Sequence, residues 1–218
     1  MQGEVLFKLD DFQADLIEKS IFESGQFYEK DTLDLLKGYI KPDPVVVDAG
    51  ANIGNHTLYF AKNVGAKMVY AFEPVISVFV KLDRNVRLNQ CANVVLHNAA
   101  LGNHAGYVLC KNTVIGNSGA QQVAYSDSGG MNVVSLDELR LEHAIDFMKI
   151  DVEGFEIEVL FGAASTIAKD HPAIFVEVWP KNQRQVIELL HGYGYRLERS
   201  FGEDNFLFLY SPSSTSTD

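Results

Sequence analysis

Residues 45–61 read VVVDAGANIGNHTLYFA, and the fold turns on them. An unbroken apolar run, Val45 to Val47, ends on an acid, Asp48. A Gly-x-x-x-Gly turn follows, Gly50 to Gly54, and a segment of helical character starts at Asn55. A continuous apolar run, as opposed to an alternating one, marks a strand buried on both faces. The stretch therefore predicts the first strand of a parallel sheet, Val45–Asp48, running through a tight turn into a helix over Asn55–Val64.

The pattern continues outward from there. KMVYAF (Lys67–Phe72) predicts a second strand, Val75–Gln90 a long helix with Val78, Phe79, Leu82, Val86 and Leu88 inward, and NVVLH (Asn93–His97) a third strand. FMKIDV (Phe147–Val152) and AIFVEV (Ala173–Val178) predict two more, separated by a helix over Phe155–Ala168. A further helix over Asn182–His191 ends at GYG. Strands alternating with helices at these short spacings imply parallel pairing through right-handed crossovers. Tyr195–Ser200 and Asn205–Tyr210 are joined only by FGED, so they form an antiparallel hairpin. The expected fold is α/β: a doubly wound, mostly parallel, seven-stranded sheet ending in a C-terminal hairpin.

The flanks are less regular. Residues 1–42 read as a helical lead-in, with a short strand at GEVLFKL, a helix in DDFQADLIEKSIFES and another from Asp31 or Thr32 that stops before Pro42. Phe27, Tyr28 and Glu29 are candidates to close a ligand pocket. Tyr107–Cys110 predicts an extra strand. Thr113–Met131, rich in Gly, Ser, Asn and Gln, is a candidate lid, and Ser135–Glu138 has the form of a capping box opening a short helix. Residues 43–211 form the main domain and 212–218 a disordered tail.

Bulk properties narrow the function. The 218 residues carry a formal charge of −11, with no basic patch. Such a surface disfavours nucleic acid and anionic membrane. A small-molecule or carbohydrate acceptor is the expected partner. No apolar run reaches the length of a membrane span, and the early acids do not suit a signal peptide. Two cysteines make no disulfide framework and no zinc spacing is present, so a cytoplasmic setting is expected; no metal is assigned, and a divalent cation on the carboxylates Asp151, Glu153 and Glu177 with His56 stays open as an alternative.

In an open α/β sheet the ligand lies beyond the carboxyl ends of the strands. Asp48, Gly50 and Gly54 stand at the end of the first strand, and Glu73 at the end of the second, where a carboxylate can accept the hydroxyls of a ribose. Two cofactors fit: a nicotinamide dinucleotide and S-adenosylmethionine. The Gly-x-Gly-x-x-Gly dinucleotide fingerprint is missing, and Asp48 beside the turn would sit poorly against a pyrophosphate. S-adenosylmethionine has no phosphate and carries a sulfonium cation, so acids near the turn suit it.

DAGANIGNHTLYFA, AFEP, NAALGN and KIDVEGFEIEVLFGA (Lys149–Ala163) together resemble the FkbM-type S-adenosylmethionine-dependent methyltransferases, over about Tyr28 to Tyr210. The resemblance implies a class I methyltransferase fold of Rossmann-like form and O-methylation of a hydroxyl on a sugar or natural product. It implies Asp48, Gly50, Asn52 and Gly54 around the methionine part, Glu73 on the ribose, Asn98 and Ala99 beside the adenine, and Asp151 and Glu153 at the reacting end; Tyr28, from its place in the lead-in, is a further expected cofactor contact. Glu177, in an apolar setting at the next strand end, and His56, at a helix start, are further candidate bases. Trp179, Tyr107, Tyr125 and Tyr193 are candidates for an aromatic acceptor pocket. An NAD-dependent oxidoreductase and a non-catalytic S-adenosylmethionine-binding protein stay open as alternatives.

Overall fold

The protein is described by a computed structural model covering residues 4–111 and 122–211. Two short helices lead in, α1 (Leu16–Ser24) and α2 (Lys30–Leu36), the latter closing in a 3-10 turn at Lys37–Tyr39. Then come β1 (Val45–Ala49), α3 (Asn55–Leu58, continued as a π-helical turn at Tyr59–Val64), β2 (Met68–Phe72), α4 (Ile76–Leu88) and β3 (Val94–His97). The middle holds β4 (Ala100–Leu101), β5 (Gly106–Cys110), β6 (Val123–Tyr125) and β7 (Met131–Val134). The chain ends with β8 (Phe147–Ile150), α5 (Glu156–Gly162), α6 (Ala164–Asp170), β9 (Ala173–Glu177), α7 (Pro180–Gly192), β10 (Tyr195–Phe201) and β11 (Asn205–Tyr210).

Seven strands form one sheet in the order β10-β11-β9-β8-β1-β2-β3. β1 is central, parallel to β2 and β8. β11 runs antiparallel to β9 and β10. Strand order reverses between β1 and β8, so the carboxyl ends of β1, β2, β8 and β9 open together into one crevice. The expected seven-stranded sheet with its terminal hairpin is the observed one.

Side-chain parity along the strands divides the core and builds the site. Val45, Val47 and Ala49 face one apolar layer together with Met148, Ile150, Ile174 and Val176. Val46, Phe147 and Phe175 face the other, under α3 and α4. Alternation then puts Asp48, Lys149 and Glu177 on this second face as well. Asp48 and Lys149 are direct register partners across β1 and β8.

The structure corrects several local expectations. Residues 4–9 pair with no strand. Their backbone is caught by Asn85 of α4 and by Asn89, which caps that helix, with the Leu6 and Lys8 amides donating to Asn89 and Asn85 at 2.9 and 2.8 Å. Leu88 is exposed, not inward, because it lies off the stripe of Val78, Leu82 and Val86. The helix expected over 155–168 breaks at Ala163. The Gly162 carbonyl is taken by the Ser135 hydroxyl and the Asp137 amide, both at 2.9 Å. Ser135 opens no helix: 135–138 is a turn, with the Glu138 amide donating to the Ser135 carbonyl at 3.2 Å. Asp137 instead accepts the Ser165 and Thr166 amides at the start of α6, each at 2.8 Å. The candidate lid, 113–131, lies partly outside the described residues. Its described part supplies β6 and the first residue of β7 in a second, four-stranded sheet ordered β4-β7-β5-β6. The tail, 212–218, also lies outside the described residues. Among the described residues no helix is long and apolar enough to cross a membrane.

Candidate active site

The turn after β1 folds over the end of β2. Gly50 and Ala51 both donate their amides to the Phe72 carbonyl, at 3.0 and 2.9 Å. Gly50 has φ +78°, and a Cβ there would run into the Asp151 carbonyl oxygen. Only glycine meets both demands. The remaining amides of the turn are also taken. Asn52 donates to Glu73 Oε2 at 3.1 Å, Ile53 to Asn52 Oδ1 at 2.7 Å, and Gly54 to the Ala51 carbonyl at 2.9 Å. Every N–H from residue 50 to 54 thus has a partner inside the protein, and none is left to cradle a phosphate.

Glu73 closes the loop on the other side by accepting the Val75 amide at 2.8 Å. Burial raises its pKa to about 7, against the pull of the Val75 and Asn52 amides. Beneath the turn Lys149, only 2% exposed, holds the site together. Its ammonium donates to the Gly50 carbonyl at 2.7 Å and lies 3.3 Å from Asp48 Oδ1 and 3.4 Å from Asp151 Oδ2. Burial alone would favour the neutral amine, but Asp48 and Asp151 outweigh it and keep the pKa above that of a free lysine. Asp48, fully buried, also accepts the Thr57 hydroxyl at 2.6 Å.

The lead-in forms the opposite wall. Asn55 holds the Tyr28 backbone from both sides, accepting its amide at 2.9 Å and donating to its carbonyl at 3.0 Å. The chain turns at Glu29 with φ +55° and sends that carboxylate into the cleft. Burial, then the charges of Glu29, Glu177 and Asp151, push the Tyr28 hydroxyl up to about 12. His56 is 8% exposed. Its Nε2 has no hydrogen-bond partner and sits 4.0 Å from Glu29 Oε2. Burial and then Lys149 lower its pKa to about 3, so the ring is neutral.

Carboxylates crowd the far end. Glu177 is raised to about 8 by burial and by Asp151, Glu29 and Glu153. Glu153, at φ +51°, is raised to about 7 by burial and Asp151, and accepts the Trp179 indole N–H at 2.8 Å. The cleft encloses about 1140 Å3, its open mouth included.

Of the residues expected from the sequence, Tyr28, Gly50, Asn52, His56, Glu73, Asp151, Glu153 and Glu177 line this one cleft. Four do not. Asp48 is sealed below the turn by its strand parity, paired to Lys149 and Thr57. Gly54 packs against Leu82 at the start of α3. Asn98 turns back to donate to the Glu73 and Pro74 carbonyls, at 2.9 and 3.1 Å, and with Ala99 borders a separate shallow hollow. Ala100 and Leu101 line the cleft in their place. None of Trp179, Tyr107, Tyr125 and Tyr193 lines it either. Phe27 packs edge-on to Tyr59, away from it. Sequence reasoning missed Lys149 and Asn55. The signal for Lys149 was a lone cation flanked by apolar residues inside a strand, FMKID.

A family model described as the Methyltransferase FkbM domain matches residues 48–197, more than half of the chain. The chain belongs to the FkbM methyltransferase family. Hexuronic acid methyltransferase AglP of Haloferax volcanii is 29% identical over 142 residues, 64% of this chain and 58% of AglP. Methyltransferase sdnD of Sordaria araneosa is 29% identical over 199 residues, 74% of this chain and 77% of sdnD. The chain thus spans a little over half the length of AglP. Among solved structures, a methyltransferase FkbM from Methylobacillus flagellatus superposes with a TM-score of 0.55 at 20% identity, over 77% of this chain and 44% of that one. A ribosomal protein L11 methylase from Lactobacillus delbrueckii gives 0.53 at 13% identity, over 86% and 83%. These likenesses place this FkbM chain among the class I, Rossmann-like methyltransferase folds.

Proposed function

We propose that this chain binds S-adenosylmethionine and O-methylates a hydroxyl of a small molecule or sugar. The observation that carries the reading is the turn at 50–54: its amides are all spent inside the protein, so it fits a phosphate-free nucleoside cofactor and not a dinucleotide. Glu73 suits the ribose hydroxyls. Pro74, Val75, Ala100 and Leu101 offer an apolar wall for the adenine, and the turn at Gly50–Asn52 with Asp151 takes the methionine end. When bound, S-adenosylmethionine supplies a methyl carbon already activated by its sulfonium.

The protein's remaining task is to align the acceptor oxygen and take its proton. Glu177 is placed for this. A carboxylate whose pKa is lifted to about 8 is a far better proton acceptor than an ordinary one once ionised, and positive charge arriving nearby promotes that ionisation. The name of AglP points to one alternative acceptor, a hexuronic acid. The carboxylates around this cleft speak against an anionic acceptor here. The net charge of −11 likewise supports a small-molecule acceptor over a nucleic acid.

The test is transfer of labelled methyl from S-adenosylmethionine to a panel of neutral sugars, phenols and uronic acids. Alkali-stable methyl ethers support the reading. Alkali-labile methyl esters on the uronic acids would replace it with carboxyl methylation. Cofactor binding without transfer to any acceptor would favour a non-catalytic binding protein.

A further inference from the structure

The cleft has a charge imbalance. Glu29, Asp151, Glu153 and Glu177 all line it, together with one ammonium, Lys149, and one neutral imidazole, His56. Lys149 is already saturated by Asp48, Asp151 and the Gly50 carbonyl. Glu153 has only the neutral Trp179 indole. Among the described residues no cation lies within ion-pair distance of Glu177, and Glu29 has only neutral His56, at 4.0 Å.

His56 supplies an independent observation. It is more than nine-tenths buried, lines the cleft, and its Nε2 lacks any hydrogen-bond partner. A buried polar atom left unpaired in the protein alone is costly. A ligand bearing hydrogen-bonding groups would satisfy it.

We infer that the acceptor carries a protonated amine beside its reacting hydroxyl, seated among Glu29, Glu153 and Glu177 and next to the free Nε2 of His56. This rests on the methyltransferase reading and narrows its substrate to amino sugars and amino alcohols. An ammonium matches this corner because it brings several donors and a positive charge to carboxylates that hold one neutral donor, the Trp179 indole, and feel only the distant charge of Lys149. Glu29, Glu153 and Glu177 are all raised by burial and by neighbouring carboxylates in the ligand-free protein. A bound cation lets them ionise, so binding expels protons. A divalent metal is the rival occupant. Among the described residues no group of three or more His, Cys, Asp or Glu has the geometry to hold one.

The experiment is calorimetry on the full chain saturated with S-adenosylhomocysteine, using two series matched except in charge. One is glucosamine, glucose and glucuronate; the other is 2-amino-1-phenylethanol, 1-phenylethane-1,2-diol and mandelate. In at least one series the amine should bind about tenfold tighter than its neutral partner, with the carboxylate weakest. The measured heat should shift with the ionisation enthalpy of the buffer, as proton release requires. Glu177→Gln and Glu29→Gln should each remove most of the preference while S-adenosylhomocysteine binding persists. Equal binding of neutral and amine, preference for the carboxylate, failure of both amines to bind, or Mn2+ binding that Glu29→Gln abolishes would each overturn the inference. If S-adenosylhomocysteine itself does not bind, the methyltransferase reading falls with it. If it binds and the amine preference is absent, only the present inference falls.

Discussion

Replacing Lys149 by methionine keeps the side-chain volume and removes the ammonium under the turn at 50–54. In the native protein that ammonium is 2% exposed and within 3.4 Å of Asp48 and Asp151, and it donates to Gly50 at 2.7 Å. Asp48 Oδ1 has no hydrogen bond and only the ammonium, 3.3 Å away, to balance its charge. Without the ammonium, a fully buried carboxylate and the Gly50 carbonyl are left uncompensated. Removing one partner of a buried pair costs about 3–5 kcal/mol. At roughly 2–4 °C per kcal/mol for a chain of this size, Tm should fall by about 6–20 °C. Urea unfolding measures the loss directly. The double variant Asp48→Asn/Lys149→Met should recover at least about 1 kcal/mol of it, because neutralising the orphaned acid removes much of the penalty. A loss below about 1 kcal/mol for Lys149→Met, or additive losses in the double variant, would refute the view that Lys149 is the electrostatic keystone of the turn.

Other expectations follow from the same geometry. Glu73 and Glu153, near 7, and Glu177, near 8, hold protons that the unfolded chain releases near 4.5; stability of the ligand-free protein should therefore drop as pH rises from 6 to 8.5, with the unfolded pKa of His56 offsetting part of the gain below 6.5. Glu177→Gln should flatten that drop in a series of melting curves, and an unchanged slope would count against the raised pKa. Asn55→Ala removes both bonds to the Tyr28 backbone and should cost about 1–3 kcal/mol, with faster proteolysis near Gly25–Lys30. Gly50→Ala meets the Asp151 backbone at a positive φ; it should cost at least about 1–3 kcal/mol and abolish S-adenosylhomocysteine binding, read by thermal shift with and without ligand.

The sheet was legible because β1, β2, β8 and β9 are short apolar runs separated by helical patterns, and because a four-residue link forces β10 and β11 into a hairpin. The turn and Glu73 were legible for a similar reason: strand ends in such sheets are where ligands collect. What the chain did not disclose depended on direction. Asp48 could be read as an acid at a strand end. Whether it points into the crevice or under α3 is set by parity against neighbours that are remote in sequence, and it points under α3, toward Lys149 a hundred residues away. Asn98 and Ala99 missed the cleft because the Asn98 side chain is used to brace the Glu73–Pro74 backbone, which shifts the lining to Ala100 and Leu101. The leading segment reads as a strand by composition, yet its partners are the amide side chains of Asn85 on a helix and Asn89 at its cap, a pairing that no local pattern encodes.

The crevice at the ends of β1 and β2 is proposed to hold a phosphate-free adenosyl cofactor, with Glu73 as the ribose acceptor. Parallel calorimetric titrations of the wild-type chain and Glu73→Ala with S-adenosylmethionine, S-adenosylhomocysteine and NAD test it most directly. The first two should bind to wild type at micromolar concentration and about a hundredfold more weakly to Glu73→Ala, from the loss of charge-assisted hydrogen bonds, and NAD should give no heat. Binding of NAD, or affinity for S-adenosylhomocysteine that is indifferent to Glu73, would contradict it.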